Sequence, residues 1–191
     1  MTYQETLDRL SDDTEAKTQK VLDQLEAGDI DQEAAIALLT AIILVSQKRG
    51  AAVAELSFAA QVSAMSQSAT VTAGIKAGRQ KDLVFKIIER TVSTSKGIDE
   101  TRTRLVRIAR NEPQEIAKQT YGKALEASKK VEGWTRGLDA DPCELCVWWS
   151  RDGRVWPKDY PLQHHKGCQC TQVPVLADKV AAVPYSRILS R

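Results

Sequence analysis

Cys143-Glu144-Leu145-Cys146 and His164-His165-Lys166-Gly167-Cys168-Gln169-Cys170 hold all four cysteines and both histidines of this 191-residue chain. Twenty-one residues separate Cys146 from Cys168. A Cys-x-x-Cys turn sets two sulfurs on one side of a tight loop. Cys168 and Cys170 are two apart, so on a strand they would share a face. Tetrahedral zinc takes four cysteines, or three cysteines and a histidine. Cys143, Cys146, His165, Cys168 and Cys170 are therefore five candidates for four places, and spacing does not choose among them. The clustered thiols predict structural zinc. Disulfides in an oxidised particle and free buried thiols are the alternatives. The second half, Cys-x-Cys, departs from the Cys-x-x-Cys of common zinc ribbons. Four protein ligands would close the coordination sphere and leave no place for a reacting water.

Catalytic readings of the same residues fail or rank low. Pro142-Cys143-Glu144-Leu145-Cys146 matches half of the zinc deaminase signature. That chemistry also needs an upstream His or Cys two residues before a catalytic Glu. No His or Cys precedes Cys143. A Cys/His pair can serve a cysteine hydrolase, but cysteines grouped this closely suit a structural role better. No Gly-rich phosphate loop is present. Asp29 and Asp31 resemble the start of a calcium loop, but the later oxygen ligands and closing Glu are missing. The expectation is a protein without enzymatic activity.

Outward from this window the chain reads as helical. Residues 3–27 carry Leu7, Leu10, Val21, Leu22 and Leu25 near helical spacing, which predicts an amphipathic helix. Gly28 is a natural stop, and Asp31 can cap the next helix. From Glu33 to about Gln67 ten alanines enrich a second helix, which suits close packing on other helices. Gly50 is a candidate kink. Residues 68–80 read as a looser connection. Helical spacing returns over Lys81–Ser93 and, after Gly97, over Asp99–Asn111. Pro113 predicts the first turn of a further helix running to Glu132. Cys170 to Leu176 reads as a short strand broken by Pro174. Trp134, Trp148, Trp149, Trp156 and Tyr160 crowd the module, as the core of a small domain or as a platform for bases. The fold class is mainly α: an acidic, Ala-rich helical region (1–70), a basic helical region (71–132), and a small Cys/His-stapled α+β module with a C-terminal tail (133–191).

The longest apolar run, Ala34 to Val45, is short of the ~20 residues of a membrane span. No membrane segment is therefore expected, nor does Met1-Thr2-Tyr3-Gln4-Glu5 open a signal peptide. The formal charge of +2 is a sum of unlike parts. Residues 1–70 carry 5 basic and 11 acidic groups, and residues 71–136 carry 15 basic and 8 acidic. Such polarity suits an adaptor between surfaces of different sign, or a neighbour of packaged nucleic acid. Arg104, Arg107 and Arg110 are surface neighbours on a helix, with Arg102 off that row. They could meet phosphate or simply form a solvated face.

Gly133-Trp134-Thr135-Arg136-Gly137-Leu138-Asp139 leads into the Cys-x-x-Cys pair. Arg151-Asp152-Gly153-Arg154-Val155-Trp156-Pro157 follows, and His165-Lys166-Gly167-Cys168-Gln169-Cys170-Thr171 with Val173-Pro174-Val175 closes the stretch. This pattern resembles the C-terminal motif of phage Mu F-like minor head proteins, especially the short versions of tailed actinobacteriophages. The resemblance implies a minor capsid component inside the phage head, made in the host bacterial cytoplasm. It implies contact with the portal or the major capsid protein, in several copies per virion. Roles in head assembly, genome packaging or ejection would follow, with contact to packaged DNA. The competing expectation is a nucleic-acid-binding zinc module built from residues 71–136 and the tryptophans.

Overall fold

The computed structural model describes residues 2–177; the C-terminal tail of the module, 178–191, lies outside the described residues. Helix α1 is Tyr3–Ala27, α2 is Gln32–Ser66, α3 is Lys81–Thr94 and α4 is Ile98–Ala127. Then come strand β1 (Val131–Gly137), the short helix α5 (Glu144–Ser150), a single 3-10 turn (Arg151–Gly153), β2 (Trp156–Pro157) and β3 (Thr171–Leu176). The expected class, mainly helical with a small strand-bearing Cys/His module, is the observed one.

The ends of α1 follow from local chemistry. The Thr2 hydroxyl accepts the Glu5 N–H at 3.1 Å, and the Glu5 carboxylate accepts the Thr2 N–H at 2.7 Å. This reciprocal pair satisfies donors that the first turn leaves open. Gly28 closes the helix with a left-handed φ of 79°, a conformation free of steric cost only for glycine. Asp31 caps α2, its carboxylate accepting the Ala34 N–H at 2.8 Å.

The chain forms two compact units. The first comprises residues up to Val53 together with Ala77–Ala117, and the second Ala54–Lys76 together with Lys118 onward. The first unit is a helical core of Val21 and Leu22 from α1, Ala35, Ile36, Leu39 and Ile43 from α2, Val84 and Ile88 from α3, and Leu105 and Ala109 from α4. By length and composition α2 is apolar enough to cross a membrane. The unbroken run ending at Val45 did not show this, because small residues and sparse charges sustain the average beyond it. The core residues of α2 pack as those of a core helix in a folded domain.

Gly50 does not kink α2, and Pro113 does not begin a new helix: α4 runs through Pro113 without a break. The two positions meet. A Cβ on Gly50 would lie 2.4 Å from the Pro113 carbonyl oxygen, so the bare Cα lets α2 and α4 approach closely at Pro113. Packing on both sides of Pro113 then outweighs the lost hydrogen bond. Gly50→Ala is expected to destabilise the first unit by about 1–3 kcal/mol through overpacking, read as a lower denaturation midpoint. An unchanged midpoint would mean that this close approach is absent.

The acidic start and the basic middle prove to be partners. Arg102 donates to Asp23 at 2.7 Å and to Glu26 at 2.8 Å. Arg110 pairs with Asp12 at 2.9 Å and Glu15 at 2.5 Å. The hydrogen bond to Asp23 first of all holds the Arg102 pKa above its ordinary value, as that to Glu15 does for Arg110. These pairs sit near the surface, where each contributes at most about 1 kcal/mol. Their larger effect is to cancel the charge asymmetry within one helical unit. Arg79, Gln47 and Glu112 add a partly buried network, with Gln47 donating to Glu112 at 2.7 Å.

In the second unit Phe58 meets Tyr121 edge-on at 5.4 Å, and Val62, Leu125, Val131 and Trp134 are buried. The three-stranded antiparallel sheet has the order β2-β1-β3. The α4 helix stops at Ala127 rather than Glu132, because Val131 and its successors pair with β3, Val131 opposite Leu176. Pro174 does not break β3. It faces Trp134 in an outer strand, where a missing donor is tolerated. Gly133 is required by β2: a Cβ there would sit 2.4 Å from the Trp156 carbonyl oxygen. The Lys130 ammonium donates to Ser66, Ser68, Ala69 and Thr70 oxygens, tying the entry to β1 onto the end of α2.

Candidate metal centre

Three local devices assemble the Cys/His cluster. Cys143 is the N-cap of α5 and Cys146 lies in its first turn, so the helix itself sets the two sulfurs side by side. His165 and Cys168 are joined by a turn in which the Cys168 N–H donates to the His165 carbonyl at 3.1 Å. Gly167 supplies that turn's left-handed residue, with φ of 80°, the requirement of a type II turn at its third position. Cys168 and Cys170 follow in the segment that leads into β3, outside the strand itself, and both are buried.

The five predicted side chains come together as two triads sharing Cys146. One is Cys143, Cys146 and His165; the other is Cys146, Cys168 and Cys170; within each the ligand atoms lie within 4.8 Å of one another. His165 Nε2 is 3.2 Å from the Cys143 sulfur and 3.5 Å from that of Cys146. The Cys146 and Cys168 sulfurs are 3.5 Å apart. Tetrahedral zinc with its usual bond lengths sets sulfurs about 3.8 Å apart and sulfur and nitrogen about 3.6 Å apart. All four cysteines are free thiols. The spacing and the soft donor set thus fit a metal ion, and this cluster could hold one.

The second coordination layer is also in place. His165 Nδ1 is 3.0 Å from the Lys166 carbonyl. With Nδ1–H donating there, the Nε2 lone pair faces the sulfurs, the orientation a metal ligand needs. That carbonyl is the first cause of the raised His165 pKa. Crowding splits the thiols. Cys168 is drawn down to about 4, first by the Cys170 thiol donating to it. Cys170 is pushed far up by giving that proton and by burial. Cys146 is raised to about 11 by burial, and Cys143 is lowered, first by the Cys146 backbone N–H. Four adjacent thiolates repel one another; a bound cation removes that obstacle and deprotonates its ligands outright.

The sequence reading gave Arg136 and Asp139 no role at the cluster, and took Trp149 only as core of the module or a platform for bases. Asp139 Oδ2 lies 3.8 Å from the Cys170 sulfur. Trp149 stacks on His165 with centroids 6.4 Å apart. Arg136 places its guanidinium 5.2 Å from the Trp149 centroid. Arg136 and Asp139 lie inside the motif that carried the resemblance, but nothing in their spacing marked a role. His164 stays out of the cluster and lines a cavity of about 250 Å³ with Lys118, Lys123, Lys158 and Tyr160.

The tryptophans divide. Trp134 is fully buried. Trp156 stacks on Trp134 at 6.1 Å and on Tyr160 at 4.5 Å. Trp148 is 56% exposed, with the Arg151 guanidinium 4.0 Å above it. Arg151 and the following Asp152 both adopt left-handed φ, 48° and 53°, a strained tip beside that exposed ring.

Fold and site together define a helical protein with a small sheet module able to hold a metal ion on cysteine and histidine. The VG15 protein family matches residues 1–187, and the chain belongs to that family, a family of phage proteins. No curated protein and no solved structure matches it.

Proposed function

We propose that this phage protein is a structural minor capsid component that acts by docking rather than catalysis, in head assembly and in genome packaging or ejection. Its helices contact the portal or the major capsid protein, in several copies per virion and inside the head, with no membrane involved. A zinc ion on the Cys/His cluster holds the small C-terminal module together, where few aliphatic side chains are available. Membership in a phage family, with a gathered Cys-x-x-Cys and His-x-x-Cys-x-Cys pattern like that of Mu F-like minor head proteins, carries this reading.

Co-sedimentation of the purified protein with portal or procapsids in the absence of DNA is the expected result. Elemental analysis of protein prepared under reducing conditions should give one zinc per chain. Metal-free, folded protein would refute the zinc assignment.

A second reading, a nucleic-acid-binding module, draws support from exposed Trp148 under Arg151. It is weakened where it was to be strongest. Arg102 and Arg110 are paired with carboxylates, and Trp134 has no exposed face. Binding to DNA that falls steeply with salt, without binding to procapsids, would favour it.

A further inference from the structure

We propose that Arg136 is a positioning residue of the metal centre: its buried guanidinium steadies Trp149, and through it His165, while supplying the positive charge that offsets the metal–thiolate group. This rests on the reading of the cluster as a metal centre.

Arg136 is only 6% exposed. It lies on β1 two residues after Trp134, so strand alternation turns both to the same face. An arginine stays charged in a protein, and burying such a charge unpaired costs several kcal/mol. Yet Arg136 forms no ion pair among the described residues. Its Nη2 donates to the Gln163 carbonyl, while Nε and Nη1 have no partner. The nearest carboxylate along the chain, Asp139, is turned to the Cys170 thiol, and its other oxygen also lacks a partner.

What the guanidinium does face is the Trp149 ring, at 5.2 Å, inside the range of a cation–π contact. The other neighbour of that ring is His165, stacked at an interplanar angle of 29°. Arg136, Trp149 and His165 thus form a chain that ends on a metal-ligand candidate. A divalent ion on three thiolates and a neutral imidazole carries one net negative charge, and on four thiolates two. The anion that Arg136 lacks is therefore the loaded centre itself.

The test uses the full-length, zinc-loaded protein, a chromogenic chelator and the cobalt-substituted form. Arg136→Met keeps the apolar stem and removes the charge; Arg136→Lys keeps a charge and a donor for Gln163 but not the planar stack. Zinc should leave Arg136→Met about tenfold faster or more, the usual scale for a lost outer partner. Arg136→Lys should fall between it and the parent, and both variants should shift the cobalt absorption bands. Should Arg136→Met fail to fold, Arg136→Lys and Trp149→Leu carry the same comparison. Parent-like release rates and cobalt spectra in the folded variants would overturn the proposal. A parent protein that takes up no zinc would overturn the metal-centre reading itself, and this proposal with it.

Discussion

Replacing Cys146 with serine is expected to abolish metal binding and unfold the Cys/His module while the first helical unit stays folded. Cys146 is the one candidate ligand common to both triads, and it is 1% exposed, so neither half of the cluster can close without it. Serine is a poor zinc ligand, and the metal's binding free energy is folding free energy for a small module of this kind, about 10–16 kcal/mol in zinc-finger peptides. Trp134 gives the readout. Its emission should shift to the red as the sheet opens, while far-ultraviolet circular dichroism keeps the helical signal of the first unit. A strong chelator should have the same effect on the parent protein. Loss of all helical signal in the variant would contradict the independence of the two units.

Trp134→Ala should be the most damaging change that leaves the cluster untouched. Trp134 is fully buried, packs on Trp156 at 6.1 Å, and donates its indole N–H to the Tyr160 carbonyl at 2.9 Å. Emptying such a site costs about 3–5 kcal/mol. Trp134→Phe should cost less, since most of the apolar volume stays and the stranded Tyr160 carbonyl contributes about 1–3 kcal/mol. Denaturant titration followed through a probe in the module measures both. A cost under about 1 kcal/mol for the alanine variant would remove Trp134 from the core, against the range such sites show.

What the sequence disclosed was local. The stop of α1 at Gly28 and the Asp31 cap are each set by residues within a turn of one another, so their spacing suffices. The Cys/His window belongs here too: α5 and the Gly167 turn gather most of the ligands over short distances. What stayed hidden depended on distant chain. Pro113 reads locally as a helix start, and its close approach to Gly50, 63 residues away, is not visible in the spacing. Val131 and Glu132 suit a helix locally, but pairing with β3 claims them as strand. Arg102 and Arg110 look like a surface for phosphate until Asp23, Glu26, Asp12 and Glu15 are placed against them. Arg136 is invisible for the same reason, because its meaning lies in Trp149 and His165.

The second unit joins Ala54–Lys76 to a stretch that begins only at Lys118. During synthesis the ribosome delivers these pieces far apart in time. The first unit can close once Ala117 has left the exit tunnel. Phe58 must wait for Tyr121, and the sheet for β3 at Thr171–Leu176. The latter half of α2 is thus a long-lived unpartnered surface of the nascent chain, and the cysteines that could take up metal emerge only after α4 and β1. A fragment cut out at residue 133 would lose Tyr121 and Lys130, which hold residues 54–76 in the second unit.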